Sequence, residues 1–364
     1  MNNVKINKNR LLKNFFNFVE IDSESGNEET FREYLQTYAR EMGYSNTRVD
    51  NYGNLYIRIE GKGEKIMVNT HLDTVKNGVG ITPQIRMING EEYVTSAGDT
   101  ILGADPKASI AAIFEVLNIL KERGFKNRNI ELTFTCNEES GIPTADKLKS
   151  DAKFCIVPDR GTPLGEIILE GPDAKVFSVE VKGKTAYATT SYDDGIDALK
   201  SAIETISQIK TGNFSNNTIV NIGKINGGEM PSMVCENVEF WGSCYTFEID
   251  ESDKFFEQLE EAMRETDRKY GTKSELTIHE YFPGFRLDKN SAVYEIADKA
   301  IREAGLKPKI KKYMAVSNAN LINSIGIPTV LISYGAIDQH TTAERISVDD
   351  LVKLTEILLN VFTS

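Results

Sequence analysis

Two of the three histidines in this chain, together with several carboxylates, stand at the ends of apolar segments. The segments are VNTHLDTV with His71 and Asp73, LGADPKAS with Asp105, TCNEESG with Glu138 and Glu139, VPDRG with Asp159, and DQHTTAE with His340. Imidazole nitrogens and carboxylate oxygens suit zinc, manganese and cobalt. Clusters of such ligands build sites in which two metal ions hydrolyse a bond. The residue types therefore predict both a cofactor and a reaction class.

Each of these residues also has an ordinary structural interpretation. His71 and Asp73 are two apart at a strand end, so their side chains leave on the same side. Such a pair is also typical of a core histidine beside a solvated aspartate. Asp105 directly precedes a strong helical pattern and could be a helix N-cap, and adjacent acids such as Glu138 and Glu139 usually mark a solvated face. Their joint occurrence at strand ends favours one shared site.

The elements that must position these residues alternate between apolar strands and helices. Three short apolar strands are indicated by KIMVNTHLDT, NIELTFTCN and AKFCIVPD, and a long helix begins near Lys107. This order predicts an α/β fold with a mixed, mostly parallel sheet sandwiched by helices. The candidate residues lie at the carboxyl ends of the strands, where open α/β sheets bind their ligands.

The middle third of the chain has a different pattern. AKVFSVEVKGKTAYAT, NTIVNIGKINGG and NVEFWGSCYTFEI alternate apolar and polar residues, which is typical of an antiparallel sheet with one solvated face. Two helices are predicted between them, over 197–210 and 251–269. We therefore expect an inserted, smaller α+β domain over 174–282 and a discontinuous catalytic domain built from 1–173 and 283–364.

Composition limits the partners. The formal net charge is -12 and no Lys/Arg block occurs, which argues against a nucleic-acid partner. No apolar run reaches the roughly 18 residues that span a membrane, and the first twenty residues lack the apolar core of a signal peptide. The four cysteines form no CxxC pair, as expected for reduced thiols. We expect a cytoplasmic protein without a membrane partner.

Several segments, in their order along nearly the whole chain, resemble the two-zinc metallopeptidase family of peptidase T, glutamate carboxypeptidase and aminoacylase, most closely its peptidase T-like members. They are IDSESGNEE, DNYGNLYIRIEGKG, VNTHLDTV, LGADPKASIAA, EESG, VPDRG, GIPTVLISYG and HTTAERISVDDL. The resemblance implies an inserted domain that acts as a lid and forms a homodimer. It also implies that the peptide bond after the bridging aspartate is cis, so we expect a cis Asp105–Pro106 bond.

The resemblance implies a role for each residue of the predicted metal site. His71 and Asp159 bind one metal, Glu139 and His340 bind the other, Asp105 bridges the two, Glu138 is the general base, and Asp73 fixes the tautomer of His71. A hydroxide shared by the two metals would attack the scissile carbonyl. Zinc is the expected ion, and manganese and cobalt suit the same ligands.

The positions that would read the substrate depart from the family pattern. Tyr187 stands where relatives carry a histidine, Ser232 where an asparagine is expected, Tyr245 where an arginine is expected, and Asn318 where many relatives have an acid. We therefore expect a substrate-recognition surface that differs from that of the relatives.

The resulting prediction is a metal-dependent hydrolase of the peptidase T type, an aminopeptidase acting on short peptides. Two alternatives stay open. One is an amidohydrolase of N-acyl or carbamoyl amino acids, and the other is a non-catalytic, metal-bound binding protein. The intact general base Glu138 argues against the last alternative.

Overall fold

The computed structural model describes residues 5–124, 126–140, 142–161 and 163–363. The helices are α1 (Lys8–Val19), α2 (Glu29–Glu41), α3 (Ala104–Arg123), α4 (Ala198–Gln208), α5 (Ile249–Tyr270), α6 (Ala292–Glu303), α7 (Asn318–Ser324) and α8 (Val348–Thr363). The strands are β1 (Thr47–Val49), β2 (Leu55–Ile59), β3 (Lys62–His71), β4 (Pro83–Ile88), β5 (Glu91–Ser96), β6 (Arg128–Thr135), β7 (Phe154–Arg160), β8 (Glu166–Gly171), β9 (Asp173–Lys182), β10 (Gly212–Asn213), β11 (Thr218–Gly227), β12 (Asn237–Thr246), β13 (Lys273–Phe282), β14 (Phe285–Arg286), β15 (Lys309–Lys312), β16 (Thr329–Ser333) and β17 (Arg345–Ser347).

The chain divides into two compact units. The large unit comprises Met1–Leu169, Arg286–Lys312 and Ser317–Ser364, and the small unit comprises Glu170–Phe285 and Tyr313–Val316. Each unit has its own hydrophobic core.

The main sheet of the large unit has nine strands in the order β1-β2-β6-β3-β7-β16-β8-β14, with β15 paired to β8. The four central strands β6, β3, β7 and β16 are parallel, while β1, β2 and β8 pair antiparallel to their neighbours. The central strands are buried over most of their length because helices flank the sheet. The expected fold class, a mixed sheet between helices, is confirmed.

Helix α3 lies at the centre of the large core. Its residues are buried almost continuously from Ala104 to Leu120, and it packs against α1, α8, β3 and β7. A helix that is apolar on all sides is typical of a protein interior. The Asp105–Pro106 bond at its start is cis, as predicted.

The parallel strands bring four segment ends to one edge of the sheet. His71 is the last residue of β3, Thr135 of β6, Arg160 of β7 and Ser333 of β16. Because carboxyl ends of parallel strands share an edge, the side chains that follow them meet there.

The small unit is a five-stranded antiparallel sheet in the order β10-β11-β12-β9-β13, with α4 and α5 packed on it. Burial alternates along β12, so one face meets the helices and the other is more open. Among the described helices of the chain, none is both long and apolar enough to cross a membrane.

Candidate metal centre

His71 and Asp159 meet at the carboxyl edge of the main sheet. The Nε2 atom of His71 lies 3.2 Å from Asp159 Oδ1 and 3.1 Å from Asp105 Oδ1. The His71 side chain is 1% exposed, so this contact is shielded from water. Strand β7 bulges here, since Ile332 pairs with Pro158 and Ser333 with Arg160. The bulge leaves Asp159 unpaired, and bulges of this kind commonly re-aim a side chain beside an active site.

His340 and Glu139 form the second half of the cluster. The Nε2 atom of His340 lies 3.0 Å from Glu139 Oε1 and 3.4 Å from Asp105 Oδ2. One oxygen of Asp105 therefore faces His71 and the other faces His340. His340 has a φ of 64°, a left-handed conformation that a non-glycine residue adopts only when its surroundings hold it there.

The turn that carries Glu138 and Glu139 is held by carboxylates at its backbone. Asp73 accepts hydrogen bonds from the backbone nitrogens of Glu138 (3.0 Å) and Glu139 (2.9 Å), and Glu28 accepts one from Asn137 (3.0 Å). Asn137 has a φ of 58°, so the turn is tight and strained. These contacts fix the direction in which the two glutamates leave the strand.

His71 is oriented mainly by the backbone. Its Nδ1 atom lies 2.9 Å from the carbonyl oxygen of Asp73 and 3.5 Å from the Asp73 carboxylate. The carbonyl can only accept, so Nδ1 carries a hydrogen and Nε2 is the nitrogen left to ligate a metal ion. The resemblance assigns this duty to the carboxylate of Asp73, but the carbonyl is the nearer acceptor.

Burial and mutual repulsion shape the electrostatics of the cluster. Burial raises the pKa of Glu138 well above its usual range, with the charge of Asp159 adding to the rise. Burial also raises the pKa of Asp159 to about 7. Hydrogen bonds to Asp105 and Glu139 raise the pKa of His340 to about 11. Carboxylates crowded in this way with imidazoles are characteristic of functional sites.

The donor set fits divalent cations. Ligand atoms lie within 4.8 Å of one another in two overlapping groups, His71 with Glu138 and Asp159, and His71 with Asp105 and Glu139. Imidazole nitrogen and carboxylate oxygen suit zinc, manganese or cobalt. A pair of dications would offset the repulsion that raises the carboxylate pKa values.

Comparison with known proteins shows the family. The model of the peptidase family M20/M25/M40 matches residues 67–364. The chain belongs to peptidase family M20/M25/M40. YqjE of Bacillus subtilis (strain 168), an uncharacterized protein, is 31% identical over 366 residues, which cover 97% of this chain and 98% of YqjE.

Two solved structures are also similar over 98% of this chain and 98% of their own length. Aminopeptidase PepT from Bacillus cereus ATCC 10987 matches with a TM-score of 0.87 at 30% identity. A tripeptidase from Staphylococcus aureus subsp. aureus Mu50 matches with a TM-score of 0.92 at 30% identity. Within the M20/M25/M40 family, this chain is therefore a metal-dependent hydrolase of the peptidase T type.

The predicted substrate residues of this M20/M25/M40 member are divided between the two units. In the small unit, Tyr187 and Ser232 are neighbours, because Ala188 N donates to Ser232 O at 2.9 Å. Tyr245 lies near the other end of β12, paired with Ile219 and Ala174. Tyr245 is eight positions beyond the start of β12 at Asn237, or about 26 Å along an extended strand.

Asn318 is placed in the large unit, at the first residue of α7. It is 1% exposed, and its Nδ2 atom donates to Thr135 Oγ1 at 2.8 Å. Thr135 ends the strand that leads to Glu138, so Asn318 supports the end of that strand. An aspartate at this position would place a negative charge in a buried environment.

Three residues that the sequence did not single out complete the site. Gln339 Nε2 donates to Asp105 Oδ2 (2.5 Å) and to the hydroxyl of buried Tyr334 (2.7 Å). Glu344 accepts backbone hydrogen bonds from Leu102 and Gly103, which precede α3, and from Asp105 within it. Burial raises the pKa of Glu344 to about 7, with the charge of Asp105 adding to the rise. The last of these residues lies in HTTAERIS, which carries the family resemblance but no assigned role.

Proposed function

We propose that this protein is an aminopeptidase that removes the N-terminal residue from short peptides at a centre of two zinc ions. The observation that carries the proposal is the placement of Asp105, whose two oxygens lie 3.1 Å from His71 Nε2 and 3.4 Å from His340 Nε2. A carboxylate with one oxygen toward each imidazole is what a shared ligand of two metals requires. The match to PepT and to the tripeptidase supports the choice of short peptides.

The proposal assigns a pair of ligands to each ion. His71 and Asp159 would hold one ion, and Glu139 and His340 would hold the other, with Asp105 shared. Ions bound in this way supply Lewis acidity, which polarises the scissile carbonyl and makes a water molecule acidic. Zinc is our choice of ion, and manganese and cobalt accept the same donors.

Glu138 would act as the general base and then as the general acid. It lies within 4.8 Å of ligand atoms of His71 and Asp159. Its raised pKa brings proton exchange closer to neutral pH, where a general base works best. Glu138 would take a proton from the attacking water and deliver it to the leaving amine, while Asp73 holds the turn that aims it.

The small unit would supply the remaining functions. We propose that it acts as a lid and as the surface of a homodimer, with Tyr187 donating a hydrogen bond to the developing oxyanion. The tyrosine is about half exposed in the small unit. A cytoplasmic location is supported by the four cysteines, which are all free and buried.

The test is release of free amino acid from di- and tripeptides with free or acetylated N-termini, with the protein loaded with zinc, manganese or cobalt. We expect free-amine peptides to be cleaved and acetylated ones to survive. Glu138→Gln should abolish cleavage. Glu131→Gln changes a buried glutamate four residues before the end of β6 and should leave activity intact.

Other outcomes separate the remaining candidates. Cleavage of acetylated or carbamoylated substrates as well would indicate an amidohydrolase rather than an aminopeptidase. If no substrate is cleaved with any of the three metals, the chain is a metal-bound binding protein and the proposal is wrong.

A further inference from the structure

One buried carboxylate joins two distant loops of the metal centre. Glu344 is 1% exposed. Its Oε2 accepts hydrogen bonds from the backbone nitrogens of Leu102 (2.8 Å) and Gly103 (2.7 Å), and its Oε1 accepts one from Asp105 (3.0 Å). The residues that it joins are 239 to 242 positions apart in the chain. All three donors lie in the loop that delivers Asp105.

The loop needs an acceptor from elsewhere in the chain. Helix α3 begins at Ala104, and the first backbone N–H groups of a helix have no acceptor within the helix. The N-cap residue is Gly103, which has no side chain to supply one and adopts a φ of 70°. A carboxylate at this end also interacts favourably with the dipole of a 20-residue helix. Glu344 therefore holds the backbone that leads into α3, since Leu102 and Gly103 precede the helix and Asp105 has a non-helical ψ of 108°.

The same segment also holds the Asp105 side chain. Gln339 directly precedes His340 and donates to Asp105 Oδ2 and to the Tyr334 hydroxyl. Its amide packs closely on Gly161, where an added Cβ would lie 2.3 Å from Gln339 Oε1. The segment 339–344 thus contacts the side chain of Asp105 at one end and its backbone at the other, and it presents His340 between them.

We propose that Glu344 is a positioning residue of the metal centre, which couples the loop of His340 to the loop of Asp105 so that the two metal positions are set together. The proposal rests on the role of Asp105 as the shared ligand. A residue that only capped α3 would stabilise the fold without affecting metal binding. Partners of metal ligands that lie outside the coordination sphere typically change metal affinity about 10- to 100-fold.

Glu344→Gln tests the coupling with little change in volume. The amide keeps one acceptor oxygen and turns an NH₂ group toward at least one of the three N–H donors. We expect zinc affinity, measured by competition with a chromophoric chelator, to fall about 10- to 100-fold. Glu131→Gln, the matched buried control, should bind zinc like the unaltered protein.

A second measurement needs neither activity nor metal. Hydrogen exchange of the metal-free protein should show faster exchange at one or more of Leu102, Gly103 and Asp105 in Glu344→Gln, with the interior of α3 unchanged. Gln339→Met removes the donor to Asp105 Oδ2 but leaves the backbone contacts, so it should weaken zinc binding without faster exchange.

The outcomes distinguish this proposal from the proposed function. Faster exchange with unaltered zinc affinity in Glu344→Gln would mean a helix cap alone and would overturn the coupling. If that variant does not fold, unaltered zinc affinity in Gln339→Met overturns it instead. Failure of the unaltered protein to bind two zinc ions would contradict the proposed function, whereas the exchange result would still report on the loop.

Discussion

Asp73→Asn separates two roles that a carboxylate beside His71 can have. The Asp73 oxygens accept hydrogen bonds from Ser25 Oγ (2.6 Å) and from the backbone nitrogens of Glu138 (3.0 Å) and Glu139 (2.9 Å). The contact with His71 Nδ1 is made instead by the Asp73 carbonyl, which the substitution leaves in place. The change should therefore act on the Glu138–Glu139 turn more than on the histidine.

The size of the effect follows from the hydrogen-bond inventory. Asparagine has one acceptor oxygen, and all three neighbours are donors, so at least one backbone N–H of the turn must face an NH₂ group. A hydrogen bond to a charged group contributes about 1.5–3 kcal/mol. A tenfold change in rate corresponds to about 1.36 kcal/mol. If the whole free energy of this hydrogen bond is lost in the transition state, kcat falls by about 10- to 150-fold.

The assay is kcat for a tripeptide at saturating zinc, with zinc affinity measured separately. We expect the loss to appear in kcat. Ser25→Ala, which leaves both backbone contacts with the turn intact, should lower kcat less than Asp73→Asn does, because Asp73 still holds Glu138 and Glu139. Unchanged kcat in Asp73→Asn combined with a large loss of zinc affinity would refute this reasoning, since it would show that the carboxylate acts through His71.

Three further predictions concern protonation, the small unit and stability. Because hydrogen bonds raise the pKa of His340 to about 11 in the metal-free protein, it carries a proton at pH 7 that zinc must displace. Zinc binding should therefore release on the order of one proton or more, and zinc affinity should weaken as the pH falls. The proton release is measured by titration calorimetry, because it makes the enthalpy of zinc binding depend on the buffer. An enthalpy that is the same in all buffers would contradict this prediction. Tyr187→Phe should lower kcat by about 10²- to 10³-fold if its hydroxyl stabilises the oxyanion, and an unchanged kcat would leave it a packing role. Arg10→Met should lower the free energy of unfolding by about 3–5 kcal/mol, because it leaves Glu115 buried without its bidentate partner. The exposed ion pair of Lys8 with Glu92 gives the control. Lys8→Met should change the free energy of unfolding, measured by chemical denaturation, by less than about 1 kcal/mol.

Much of the fold could be predicted because the sequence patterns are strong and local. The central strands contain short apolar segments, and α3 has a mostly apolar sequence and begins at Ala104, three residues before the predicted start near Lys107. The antiparallel sheet of the small unit follows from strict alternation, as in β12. The meeting of His71 and Asp159 follows from the rule that parallel strands end at one edge of a sheet, whereas Asp105 comes from the start of α3.

The supporting residues could not be predicted because their partners are backbone amides far away in the chain. Nothing near Glu344 indicates that Leu102 and Gly103 will face it, since 239 or more residues intervene. The bulge that frees Asp159 depends on the register of β7 against β16, which the pattern of either strand alone does not set. The predicted roles of the substrate residues likewise stay predictions, because they depend on a ligand.

The most direct test of the account is the position of the metal ions relative to Asp105. Crystals of the zinc-loaded protein, measured at the zinc absorption edge, should show two anomalous peaks about 3.5–4 Å apart. Each peak should lie about 2.0–2.2 Å from a different oxygen of Asp105, with His71 beside one and His340 beside the other. A single peak, or two peaks that do not share Asp105, would contradict the two-metal site on which the proposed function depends.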